Sequence, residues 1–221
     1  MPKPPVGDVA SLCHYRDENA ELRASHRHVR MVFIGDSITE LWGRANPALF
    51  ANGFVNRGIG GQTTWQMLVR FRQDVIELNP PVVHILGGTN DLVGLRGSFT
   101  LAEIEGNIAT MVELALAHHI AVVLGAVPPM GPPWDTPGLR AQVRALNAWL
   151  AETAQRDRLG FADYFAVLVD SAGVLDPELS LDSLHPNRWG FQEMEALMRY
   201  ALSDVEAKPS DRKAGAPTRR H

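Results

Sequence analysis

The stretch VFIGDSITELWG, residues 32–43, runs from apolar residues into Gly-Asp-Ser and then into a segment with helical spacing. It completes HVRMVFIGD (28–36), a near-continuous apolar run of the kind found in strands buried on both faces. A buried strand that ends in a small residue and then a serine can hold a hydroxyl at the edge of a sheet. It can equally be an ordinary strand-to-helix turn, with Ser37 satisfying the first amides of the helix. The rest of the chain decides between these readings.

Two later runs resemble the first, PPVVHILGG (80–88) and HIAVVLGAVPP (119–129), and a further strand is expected near 53–56. Helical patterns separate them at 63–78 and 100–119, the second opening with Thr100 and Glu103 at capping-box spacing. Another helix covers 139–158, a short apolar stretch surrounds LGFADYFAVL, and the last helix begins near PNRWGFQEMEALMRYAL. The segment 8–24 also has helical spacing and is expected to lead into the first strand. Strands alternating with helices indicate right-handed βαβ units and a mostly parallel sheet covered on both faces. Residues 1–206 are read as one domain, with 1–28 as an N-terminal extension and helix. The polar tail 207–221 is expected to be disordered.

Composition narrows the function. A formal charge of −4 offers no electrostatic case for nucleic acid or an anionic membrane. Cys13 is the single cysteine, so neither an intrachain disulfide nor a multi-cysteine metal site is available. No apolar run approaches the roughly 20 residues that span a bilayer. The N-terminus lacks the apolar core of a secretory signal, which favours a cytoplasmic location; a chain trimmed of its leader would read the same.

Each unusual motif falls where a strand ends. In open parallel sheets that is where ligands bind, so GDS, NRGIGGQTT (56–64) and GGTND (87–91) should converge on one rim. Asp182 and His185, in LSLDSLHPNRWG, are three residues apart and can face each other. A carboxylate beside an imidazole fixes its tautomer and leaves the other nitrogen free to take a proton. Ser37, at a helix N-terminus, is the candidate nucleophile, although Thr39 rules out the G-x-S-x-G elbow. Glycines 58, 60 and 61 permit a turn that exposes an amide, and Thr63 or Thr64 can cap the next helix. Asn90 can aim its side-chain amide into the same crevice. Asp36 is expected to tie down the turn, His84 to be a satisfied core histidine, and Trp42 and Trp65 to be core residues.

The blocks GDSIT, GIGGQT, GTND and DSLHPN, in this order and spacing, resemble the GDSL or SGNH hydrolase family over residues 31–190. The resemblance places the serine nucleophile on Ser37 and the Asp-x-x-His pair on Asp182 and His185. It places an oxyanion hole on the Ser37 and Gly61 amides and the Asn90 side chain. Gln62 stands where many relatives have aspartate. The implied fold is a three-layer α/β/α sandwich similar to flavodoxin, with about five mostly parallel strands. The long GIGGQTT form is similar to the acetylhydrolase and lysophospholipase-like branches.

The resulting expectation is a serine esterase for short-chain, acetyl carboxylic esters that requires no metal or organic cofactor. Its partner would be a small-molecule ester. Two alternatives stand beside it: a lysophospholipase or thioesterase acting on longer acyl chains, and a non-catalytic ligand-binding module. Met130 and Trp134, in the Pro- and Gly-rich run 127–139 on the same rim, are candidates to line the substrate pocket.

Overall fold

The computed structural model describes residues 7–207. In chain order the helices and strands are α1 (Arg16–Ser25), β1 (Met31–Gly35), α2 (Ser37–Ala45), β2 (Phe54–Gly58), α3 (Thr64–Asp74), β3 (Val82–Leu86), α4 (Thr89–Leu92), α5 (Leu101–Ala117), β4 (Ala121–Gly125), α6 (Pro137–Asp157), β5 (Gly160–Ala162), α7 (Tyr164–Leu168) and α8 (Arg188–Ala207). The strands form one parallel sheet in the order β2-β1-β3-β4-β5. This is the flavodoxin-like order, whose switch point lies between β1 and β3.

The apolar runs become buried strands because helices cover both faces. Successive side chains of a strand point to opposite faces, so β1 divides its residues between two cores. Val32 and Ile34 join Val83, Ile85, Val122 and Leu124 beneath α3, α5 and α6. Met31 and Phe33 join Val82, Leu86 and Val123 beneath α2, α7 and α8. The result is the expected three-layer α/β/α sandwich. Trp42, fully buried, stacks on Phe191 with ring centroids 5.8 Å apart and anchors α2 to α8.

Local chemistry sets the element ends. Thr100 and Glu103 form the capping box at the head of α5, through Thr100 N–H to Glu103 Oε2 (2.8 Å) and Glu103 N–H to Thr100 Oγ1 (3.3 Å). Pro137 occupies the first turn of α6, where its missing N–H has no partner to lose. His84 is a core histidine, as expected, but only half satisfied: its Nε2 pairs with Tyr164 Oη at 2.7 Å, its buried Nδ1 meets no partner among the described residues, and burial pushes its pKa down to about 3.

Three expectations are corrected or fall outside the structure. The helix expected over 8–24 begins only at Arg16. Residues 8–15 form turns instead: Asp8 accepts the N–H groups of Leu12 and Cys13, and Ser11 adopts φ 56°. A short acceptor side chain competing for backbone N–H groups explains the loss of helix. Trp65 is half-buried rather than a core residue. The disorder expected for 207–221 lies, from 208 onward, outside the described residues. Among the described residues, no helix is long and apolar enough to cross a membrane.

Helix α2 lies so close to β2 that a Cβ on Gly58 would sit 2.2 Å from Glu40 N and 2.7 Å from Thr39 C. Both are backbone atoms, so the helix itself would have to move. Gly58→Ala should therefore lower unfolding free energy by at least about 2 kcal/mol, read as a fall in the urea midpoint. An unchanged midpoint would show that α2 can shift without loss.

Candidate active site

At the end of β1 the chain turns through Asp36, and Ser37 is the first residue of α2. The capping work is done by Asp36: its Oδ1 accepts the Ile38 N–H at 2.9 Å. The Ser37 hydroxyl is thereby left for another partner, and its Oγ lies 2.9 Å from His185 Nε2. Ser37 thus faces a histidine while its neighbour Asp36 caps the helix.

His185 sits in the loop before α8. Its Nδ1 lies 2.8 and 3.0 Å from the two carboxylate oxygens of Asp182. A carboxylate there favours the proton on Nδ1 and turns the Nε2 lone pair toward Ser37. Asp182 Oδ1 also accepts the main-chain N–H groups of Leu184 (3.1 Å) and His185 (2.8 Å). Partial burial pushes the Asp182 carboxyl up, but its bonds from the His185 ring and from these two amides outweigh this and leave the pKa below the usual value. The loop is pinned from outside as well. Gly131 N–H donates to Ser183 O at 2.7 Å, and the Asn187 side chain donates to Glu178 O at 2.7 Å.

The turn after β2 faces Ser37 from the other side; a Cβ on Gly60 would stand 3.8 Å from Ser37 Cβ. Within this turn Ile59 N–H goes to Gly35 O, Gly60 N–H to Glu40 Oε2 (2.7 Å) and Gln62 N–H to Ile59 O. Gly61, at φ +74°, is the residue of this turn whose N–H meets no acceptor among the described residues. The Ser37 N–H is likewise unclaimed, as the first amides of a helix are without a side-chain or ligand partner. Asn90, at the head of the short α4, is buried and donates from Nδ2 to Gln62 O (2.8 Å) and, at the longer 3.3 Å, to Asp36 Oδ2. Asp91 accepts the Thr64 N–H and hydroxyl at 3.0 and 2.6 Å and ties this loop to the head of α3.

Ser37, Gly61, Asn90, Asp182 and His185 are thus gathered at the carboxyl ends of β1, β2 and β3. Met130 and Trp134 part company. Met130 is buried in the core beneath α6, and its carbonyl accepts the Leu175 N–H. Trp134 is 39% exposed and lines a surface trough of about 480 Å³ with Leu92, Val93 and Leu139. A larger cavity, about 670 Å³, lies at the opposite edge of the sheet, where His26 and His118 cap the C-terminal ends of α1 and α5. Sequence reasoning did not single out Glu40, Arg70, Asp91 or Asn187, which shape the site through hydrogen bonds. Arg70 and Asp74, four residues apart on the buried stripe of α3, were the readable hint.

A family profile described as GDSL-like lipase/acylhydrolase matches residues 33–192. The chain belongs to that family. It is a carboxylic ester hydrolase. No protein of the curated set matches it. Among solved structures, it resembles a Bacteroides fragilis protein assigned as an acylhydrolase, with 38% identity and a TM-score of 0.82 over 89% of this chain and 98% of the other. A GDSL-like lipase from Bacteroides thetaiotaomicron gives 37% identity and a TM-score of 0.82 over the same shares, 89% and 98%. An acetylxylan esterase of Geobacillus stearothermophilus, at 19% identity and a TM-score of 0.63 over 78% of this chain and 93% of its own, shares the fold.

Burial raises the carboxyl of Asp36 to about 7, against the opposing pull of the Ile38 N–H and of the nearby His185. Folded Asp36 therefore holds its proton more tightly than the unfolded chain does. Stability from this group is full below about pH 4 and is lost as pH rises through about 7. Asp36→Asn keeps a capping oxygen but cannot titrate. Its urea midpoint, measured from pH 4.5 to 7.5, should fall less with rising pH than that of the parent. Parallel curves would show that Asp36 is ionised throughout this range.

Proposed function

We propose that this hydrolase is a serine esterase for short-chain, acetyl esters, with Ser37 as nucleophile, His185 as general base and Asp182 as its partner. The observation that carries this reading is the 2.9 Å contact between Ser37 Oγ and His185 Nε2, continued by the 2.8 Å contact from Nδ1 to Asp182. A serine hydroxyl attacks only when a base takes its proton. Here the base is aligned and its other nitrogen is committed to a carboxylate.

His185 removes the Ser37 proton as Oγ attacks the ester carbonyl. The negative charge on the carbonyl oxygen is met by the unclaimed amides of Ser37 and Gly61. Asn90 joins them by turning its long Asp36 bond toward that oxygen, while the shorter bond to Gln62 O holds the amide in place. Donors fixed before the charge develops stabilise it without reorganisation. His185 then gives the proton to the leaving alcohol, and water repeats the sequence on the acyl-enzyme.

Support for a short acyl group comes from the loop after β4. Trp134 lines a trough with Leu92, Val93 and Leu139 that is open to the surface, while Met130 of the same loop is taken up by the core. An open trough encloses a small acyl group more readily than a long chain. Trp134 is proposed to contact the substrate across the trough.

Hydrolysis of p-nitrophenyl esters from acetate to palmitate tests the reading directly. Acetate should be the best substrate, and Ser37→Ala should abolish turnover. Asp182→Ala should lower kcat roughly 10³- to 10⁴-fold. A maximum at long chains would move the assignment to a lysophospholipase or thioesterase. A folded Ser37→Ala protein as active as the parent would sink the nucleophile assignment and return the ligand-binding module.

A further inference from the structure

The turn that presents Gly61 is built from consecutive glycines, the least self-supporting backbone available. A donor that is to stabilise a transition state must nevertheless be held within about 0.5 Å. The support comes from a part of the chain outside the family match of 33–192. Residues 8–15 lie as irregular turns across α3 and the end of β2, and three of their carbonyls, those of residues 9, 10 and 12, are taken up by glutamines. Gln66 Nε2 donates to Val9 O, Gln62 Nε2 to Ala10 O at 2.9 Å, and Gln73 Nε2 to Leu12 O at 2.7 Å. At the far end of the segment Tyr15 Oη donates to Gly58 O, and its ring lies 4.5 Å beneath the Arg57 guanidinium.

Gln62 is the joint. Its Nε2 holds Ala10, its Oε1 accepts Arg70 Nε at 2.6 Å, and its main-chain carbonyl accepts Asn90 Nδ2 at 2.8 Å. Arg70 is fully buried, and its Nη2 donates to Gly35 O, two residues before Ser37. The residue next to Gly61 is thus fixed at both polar atoms of its side-chain amide and at its main-chain carbonyl. An aspartate at this position could pair with Arg70, but it would be one methylene shorter and would have no N–H for Ala10. We propose that residues 8–15 act as a strap that holds the 59–62 turn in its oxyanion-binding shape, with Gln62 as the positioning residue that joins strap to site. This inference rests on the esterase assignment above for its catalytic consequence, but its structural part does not.

Gln62→Glu is nearly isosteric: it keeps the acceptor for Arg70 and sets an oxygen against Ala10 O. With p-nitrophenyl acetate, kcat should fall about tenfold while KM stays within about twofold, since the loss lies in the transition state. Tyr15→Phe keeps the ring on Arg57 and removes only the bond to Gly58, so it is the variant that safely folds. Its kcat should fall about two- to threefold with KM unchanged. In both, circular dichroism confirms folding at the assay temperature, and the ¹⁵N order parameter of Gly61 should drop. Parental kcat in a folded Gln62→Glu protein, or an unchanged Gly61 order parameter with only the urea midpoint lowered, would overturn the strap. If the parent shows no Ser37-dependent hydrolysis, the esterase assignment fails on its own, and the order parameter alone decides whether the strap holds the turn.

Discussion

The parallel pairing of β1 with β2 on one side and β3 on the other is the constraint on which the site depends. The register sets Gly35 opposite Gly58 and opposite Leu86, so all three strands end at the same level. The chains leaving them must emerge side by side. Ser37, Gly61 and Asn90 therefore meet although 53 positions of sequence separate the first from the last. β1 and β3 are neighbours across the switch point, where helices leave on opposite faces and a crevice opens. A one-residue slip of register would also exchange the two faces of β1, sending Met31 and Phe33 into the wrong core. The two hydrophobic cores thus enforce the alignment that the chemistry needs.

Around this rim the protein buries polar groups that would be unfavourable elsewhere. Asp36, Arg70 and Asn90 are all buried. Each is satisfied by named partners, as buried polar groups must be. Asp36 caps α2 and steadies Asn90; Arg70 joins the end of β1 to Gln62 and to Asp74. Burial disfavours charge on both side chains, holding the Asp36 carboxyl above its usual pKa and the Arg70 guanidinium below its own. What is obtained in exchange is geometry. Exposed, mobile side chains could not fix an amide donor as tightly as a dry network can.

Much of this was legible in the chain. Continuous apolar runs identified the buried strands, because residues covered on both faces leave no alternation to read. The Thr100–Glu103 box marked the start of α5, since capping is a contact between near neighbours. The four motif blocks pointed to Ser37, Gly61, Asn90, Asp182 and His185, which the fold brings to one rim. The N-terminal helix was over-extended because helical spacing in 8–15 says nothing of Asp8 capturing local amides or of distant glutamines awaiting the carbonyls of residues 9, 10 and 12. Met130 and Trp134 share a loop and a chemical character, yet one turned inward and the other outward. That choice depends on which side of the loop meets α6, a fact absent from local sequence.

By itself the sequence determined the alternation of strand and helix and the chemistry available at each strand end, because these follow from local periodicity and from residue type. It also carried the spacing of Asp182 and His185, which lie within one turn of chain. Only the tertiary structure decided that Asp36 rather than Ser37 caps α2, leaving the hydroxyl for His185 148 residues away. It alone decided that Gly61, not Gly60, keeps its amide open, because Glu40 from another helix claims the other. Both outcomes are competitions among hydrogen-bonding groups far apart in the chain, and the winner is fixed by distance in space.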